Sequence, residues 1–231
     1  MKHRFFYLAF FVIILAACNG ISPELEYVSG KDNGHDYVDM GVSVMWSPVN
    51  MGATVIGEFG EYFAWGEEKT KDYFSFENYK HSNGGQNNYT KYGINPSEGV
   101  VDNLTTLEPE DDAAHVQWGG TWRMPTQQEW IELRENCTWE YTRENGRRGW
   151  TATAPNGNKI FFPFAGGQHW DENDTKNIYG TYRSSSLGEK YTGTTYNVIF
   201  RSHLDGGTAA ISWSYGSREF GLSIRPVCAP K

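Results

Sequence analysis

The sequence predicts an α+β domain of short, mostly antiparallel strands with one clear helix, at about residues 126–136, and long irregular loops. Three observations carry that expectation. Thr126 and Glu129, directly after Pro125, make a capping box: the Thr hydroxyl serves the N3 amide and the Glu returns to the N-cap amide. Asn145-Gly146 separates two strand-like runs, 139–142 and 150–153, as a strong hairpin signal. In the last third of the chain Tyr196, Val198 and Phe200 alternate with Asn197, Ile199 and Arg201, the period of a half-buried strand.

Taken in order, the chain opens with Lys2 and Arg4, an apolar run from Phe5, and Leu15-Ala16-Ala17 before Cys18. Residues 5–17 are too few to cross a bilayer, which takes about 20. The segment has the charged, apolar and small-residue regions of a secretory signal, and its end matches the lipobox of bacterial lipoproteins. We therefore read 1–17 as a lipoprotein signal peptide, Cys18 as the lipidated residue, 18–34 as a flexible tether and 35–229 as a single domain. Acyl chains on Cys18 would hold the protein at a membrane, since two chains anchor stably where one does so only marginally.

From His35 the apolar residues Val38, Met40, Val42, Val44 and Trp46 fall at every second position, which predicts a strand. A second strand is expected at 61–65. Residues 69–99 show no sustained period and read as irregular, and 104–116 holds one short helix begun by Pro109. Beyond the main helix, whose Trp130, Leu133 and Cys137 share one face, strands are expected at 159–164, 182–187, 196–202, 208–214 and 222–227.

The formal charge is −8, and cleavage before Cys18 removes Lys2 and Arg4 but no acid, leaving −10. Nucleic acid is excluded as a partner because it requires clustered cations, and Arg143 with Arg147-Arg148 reads as a solvated hairpin tip. Cys137 and Cys228 are then an even pair in an exported chain, which reads as a disulfide worth about 4–5 kcal/mol by chain entropy. Two separately buried thiols are the alternative.

Catalytic and metal signatures are weak. Ser184-Ser185-Ser186 has no nucleophile elbow around it, and His35, His81, His115, His169 and His203 lack zinc-ligand spacing. Glu108-Pro109-Glu110 and the Asp171 to Asp174 stretch are the only hints of calcium, so no cofactor is expected.

Three strings, YVDMGVSVMWSPVNMGA (37–53) with GEYFAWGE (60–67), GGTWRMPTQQEW (119–130) and SREFGLSIRPV (217–227), resemble the Fibrobacter succinogenes major paralogous domain family. Order and spacing agree across 35–228; Arg183 departs from the Trp usual there. The resemblance implies a C-type-lectin-like architecture akin to formylglycine-generating enzymes, and the setting of cell-envelope, outer-membrane lipoproteins, including surface-exposed ones. It also implies that Cys137 and Cys228 tie the helix to the terminal strand, which leaves no reactive pair for an oxidase. By analogy with retroelement-diversified lectin-like proteins, the ligand would meet Arg201, His203, Asp205, Ser212, Trp213, Tyr215, Arg218 and Phe220, a mixture of aromatic and hydrogen-bonding groups suited to adaptable recognition. The expected function is non-catalytic binding of an extracellular glycan or protein. A structural subunit of a surface or fimbrial assembly is the first alternative, and an oxidase the second.

Overall fold

The computed structural model describes residues 28–168, 175–202 and 210–231. The signal segment and Cys18 lie outside them. The domain begins earlier than its sequence pattern indicates: β1 (Gly30–Asp32) and β2 (His35–Tyr37) form a hairpin whose corner is Asn33 and Gly34, at φ +43° and +86°. Residues 30–34 therefore belong to the fold rather than to the tether. They are held there by Asp32, whose carboxylate accepts from the Thr121 amide (3.0 Å) and hydroxyl (2.8 Å) and pairs with Lys231 at 2.7 Å. The Lys231 and Thr121 bonds depress the Asp32 carboxyl to about 2.

The alternation after residue 37 is real in burial but does not make one strand. Gly41, at φ +68°, donates its amide to Asp39 Oδ1 (2.8 Å) and turns the chain, so that Val38 bridges back to Trp46. Only β3 (Met45–Trp46) remains, paired antiparallel with β10 (Val227–Cys228). In the segment 61–65, residues 62–65 are buried, but it is joined to 222 by a single bridge at Phe63. Residues 69–99 are irregular as expected. A turn of 3-10 helix at Phe76–Asn78 interrupts them, and Gly99 (φ +137°) lies where a Cβ would come within 2.1 Å of the Tyr89 carbonyl oxygen.

Asp112 caps α1 (Ala113–Trp118), accepting from the amides of Ala114 (2.9 Å) and His115 (3.2 Å). The capping box of α2 (Gln127–Asn136) forms as read: Thr126 Oγ1 accepts from the Glu129 amide (3.2 Å) and Glu129 Oε2 from the Thr126 amide (2.8 Å). Two three-stranded antiparallel sheets follow. One is β4 (Thr138–Glu144), β5 (Arg147–Thr153) and β6 (Lys159–Pro163), with its first hairpin at Asn145-Gly146. The other is β7 (Tyr179–Leu187), β8 (Thr194–Arg201) and β9 (Ala210–Ser217), in that spatial order. The mixed, mostly antiparallel α+β class is thus observed.

α2 and the two sheets enclose an aromatic core. Trp46 packs on Trp130 at 4.7 Å between centroids, Trp130 on Phe162 at 5.5 Å, and Phe162 stacks on Phe200 at 5.2 Å. The expected disulfide is absent. Cys137 and Cys228 are both buried free thiols, and they belong to separate clusters: Cys137 with Trp130 and Leu133, Cys228 with Met45 and Trp122. Each ends an element as the pattern suggests, but the elements end in different parts of the core. Burial pushes the two thiols up to about 11 and about 12. No helix among the described residues is long and apolar enough to cross a membrane.

Candidate functional site

The alternation of β8 and β9, with β7 in register with β8 from Tyr179 to Arg183, gives their sheet two unlike faces. Tyr182, Val198 and Trp213 are in register on one face and enter the aromatic core, as do Phe200 and Ile211. On the other face Thr181, Ile199 and Ser212 are in register, as are Arg183, Asn197 and Ser214, with Tyr179 opposite Arg201. This second face floors a cleft of about 450 Å³, walled by Gly167, Gln168, Thr175, Phe220 and Leu222 and bordered by β9 at residues 214–216, within the size range of small-ligand sites.

The floor presents hydroxyls from Thr181 and Ser214 and the amide of Asn197. Gly216 must lack a side chain here, because a Cβ would lie 2.4 Å from Asn197 Nδ2. Tyr179, Phe220, Ile199 and Leu222 supply apolar surface, while the Tyr215 ring has the parity of Trp213 and packs on Tyr196 at 4.8 Å. Arg201 is the one charged residue among the described lining residues, and no carboxylate, imidazole or thiol occurs among them.

Beneath the cleft lies Arg183, fully buried. Its guanidinium donates to Thr195 Oγ1 (2.7 Å), to the carbonyls of Ser217 (3.0 Å) and Arg218 (3.1 Å), and to that of Phe220. Arg183 thereby fixes the turn that carries Phe220 to the cleft wall. The position where the sequence departs from its resemblance is thus an organiser of this surface; burial lowers the guanidinium to about 10.

The eight ligand residues expected from sequence divide. Arg201 and Phe220 line the cleft, Tyr215 borders it through its strand while its ring turns to Tyr196 on the other face, and Ser212 shares the cleft face of β9 one step beyond the lining. Tyr215 is 56% exposed and donates its hydroxyl to that of Tyr196 at 3.0 Å. His203 and Asp205 lie outside the described residues. Two are corrected. Trp213 faces the core, half-buried, with the Arg134 guanidinium 5.8 Å from its ring centre, because strand parity sends it to the opposite side from Ser212 and Ser214. Arg218 has no exposed surface. It sits 4.8–5.8 Å from the ring centres of Trp65, Tyr79, Tyr89 and Tyr92, and donates to Tyr79 Oη (2.8 Å) and to the carbonyls of Lys91 (3.0 Å), Thr192 (3.3 Å) and Tyr92 (3.5 Å). A guanidinium so enclosed contacts no ligand.

Sequence reasoning missed Tyr179, Thr181, Asn197, Ile199 and Ser214. The signal was available in β8, where Asn197, Ile199 and Arg201 are the half of the alternation that does not enter the core.

The suggested calcium triplet resolves into ion pairs. Lys91 Nζ is 2.5 Å from Glu108 Oε2 and 2.7 Å from Asp111 Oδ2, while Lys80 Nζ is 2.7 Å from Asp111 Oδ1. Tyr92 also donates to Asp111 at 2.7 Å. Burial opposes ionisation of Asp111, but these donors outweigh it and hold the carboxyl well below the usual range. Lysines already occupy the place a cation would take. The other suggested calcium segment, 171–174, is outside the described residues, and no grouping of three or more metal-ligating residues occurs among those described.

A second concavity of about 690 Å³ is lined by Asn95, Thr105, Gln127, Ser186, Glu189 and Lys190, among others. Its apolar lining is confined to Ile94, Leu187 and Tyr196, so it offers less of the apolar surface that buries a ligand. Searches of family models, curated proteins and solved structures gave no match.

Proposed function

We propose that this chain is a membrane-tethered cell-envelope lipoprotein whose domain is a non-catalytic recognition module, holding an extracellular glycan in the cleft on the outer face of β7–β8–β9. The observation that carries the reading is the floor itself: hydroxyl and amide groups from three adjacent strands, flanked by tyrosine and phenylalanine rings. Saccharides present that chemistry in complement, with hydroxyls for the polar groups and ring C–H faces for the aromatics. An uncharged protein segment would use the same groups and is the second ligand class.

The same proposal assigns the domain to the Fibrobacter succinogenes major paralogous family with a C-type-lectin-like architecture, supported by the order of the sequence strings and by the α+β class. It places the protein at the outer membrane through lipid on Cys18, supported by the lipobox. No metal or cofactor is invoked.

The test is a glycan and host-protein array probed with the full chain in detergent micelles, followed by titration of each hit against Arg201→Ala and Tyr179→Ala. Both side chains reach the surface, and an unchanged circular-dichroism melt shows that the variants are folded. Each is expected to weaken capture at least tenfold; capture unchanged in both overturns the assignment of the cleft.

A further inference from the structure

Among the described residues, β9 is the only long strand with an open edge and no charge. Its backbone pairs with β8 along all eight residues, and no other backbone hydrogen bond from a described residue reaches Ala210 to Ser217 from the far side. The other edges are treated differently. β4 carries Glu140, Arg143 and Glu144. The outer side of β7 is covered, with the amides of Arg183, Ser185 and Leu187 donating to the carbonyls of Ser223, Pro125 and Thr105 at 2.8–3.0 Å. The remaining strands outside the two larger sheets are two or three residues long. A long, uncharged, proline-free edge is a template for another strand.

The side chains of β9 indicate which strand fits. Read outward from Trp213, the segment Ala210-Ile211-Ser212-Trp213-Ser214-Tyr215-Gly216 is symmetric in class: Ser on both sides, then a large apolar residue on both sides, then a small residue on both sides. Two antiparallel copies related by a two-fold axis through Trp213 place Ser212 opposite Ser214, Ile211 opposite Tyr215 and Ala210 opposite Gly216. Strand parity is preserved, since all the large residues lie on the core side and the serines on the cleft side. β9 itself carries no charge, so the paired strands set no like charges directly opposite each other; the Arg134 guanidinium, 5.8 Å from the Trp213 ring, lies beside the strand on its core side. Tyr215, with 56% of its surface exposed, gains Ile211 of the second copy as a cover.

We infer that the protein forms a two-fold dimer by antiparallel pairing of β9 with β9 of a second copy, giving one continuous six-stranded sheet. This is an isologous contact and closes at two copies. The inference does not depend on the ligand. It does add to the cleft: Ser212 and Ser214 lie on the cleft face at the seam, so the two clefts become neighbours on a single surface. A repeating ligand that spans both would gain avidity without any new contact.

Two experiments test it. Full-length Ser212→Cys and Ser214→Cys variants, carrying different tags, are co-expressed and oxidised in the membrane. The mixed pair is directly opposed, about 4.5–5.5 Å between Cβ atoms, whereas each variant meets its own kind only diagonally at about 7–8 Å, beyond disulfide reach. The expected result is a cross-linked species carrying both tags, in large excess over cross-links within either variant; Cys137 and Cys228 are buried and stay unreactive. Equal yields in all combinations, or no cross-link, overturn the inference. Light scattering of the detergent-solubilised full chain should give a dimer that Ser212→Glu weakens at least tenfold, with an unchanged circular-dichroism melt showing that the variant is folded. A monomer at every concentration, or a dimer that Ser212→Glu leaves intact, also overturns it.

Discussion

Replacing Arg218 with alanine separates a residue that faces a ligand from one that holds the fold. The guanidinium has no exposed surface, donates to Tyr79 Oη and to the carbonyls of Lys91, Tyr92 and Thr192, and is enclosed by four aromatic rings. Truncation strands those acceptors away from water at about 1–3 kcal/mol each and loses cation–π attraction of about 2 kcal/mol for a desolvated cation. Release of the guanidinium's own desolvation offsets part of this. The net expected loss is about 4 kcal/mol, comparable to breaking a buried charged pair and a large share of the 5–15 kcal/mol typical of a whole domain. Arg218→Lys keeps the charge but not the fork of donors, and is expected to lose about half as much. Urea unfolding of both variants, compared at constant m-value, measures the difference. A loss below about 1 kcal/mol for Arg218→Ala would refute the reasoning, since only a solvent-accessible side chain could be removed so cheaply.

Further outcomes concern titration and the thiols. Burial raises the Glu219 carboxyl to about 7, above its unfolded value of 4.5; the folded state therefore holds more protons between those values, and stability falls as pH rises from about 4.5 to 7. Glu219→Gln should be more stable than the parent at pH 8, by up to about 3 kcal/mol, and close to it at pH 4; identical pH profiles would sink the assignment. His81 behaves oppositely. Burial lowers it to about 4 from 6.5, so its unfolded form takes up a proton first, and stability is complete above pH 6.5 and declines as pH falls towards 4. Asp111, held low by Lys80, Lys91 and Tyr92, adds a second decline below about pH 4, and Asp111→Asn should remove that step from an acid-unfolding curve. Thiol titration with a maleimide should find Cys137 and Cys228 unreactive in the native protein and both reactive after denaturation without reductant; a pair that needs reductant would restore the disulfide.

What the sequence makes legible follows from how local each signal is. The capping box at Thr126 and Glu129, the Asn145-Gly146 corner and the alternation of β8 each depend on a few adjacent residues, and each appears in the structure as read. The same locality misleads around residue 41, where an alternating apolar pattern survives as burial while an Asx turn at Asp39 folds the strand in two. It misleads again at Arg218, because nothing in its neighbours announces an aromatic cage assembled from residues 65, 79, 89 and 92. Trp213 was misassigned although its parity with Val198 and Phe200 was available, since register across β8 and β9 has to be known before a face can be chosen. Cys137 and Cys228 illustrate the limit of counting: an even number establishes that pairing is chemically permitted, and only the separation of two core clusters shows that it does not occur.

Arg183, Arg218 and Arg225 each donate to three main-chain carbonyls, most of them in irregular segments: those of residues 217, 218 and 220, of 91, 92 and 192, and of 47, 48 and 161, of which only 217 and 161 lie in strands, β9 and β6. A carbonyl is common to every amino acid, so these anchors recognise the path of a loop and are indifferent to its side chains. The segments they hold can change their surface chemistry position by position while their course through space stays the same. A scaffold stapled in this manner separates the inheritance of shape from the inheritance of specificity, which lets one fold be re-addressed to new targets without being refolded.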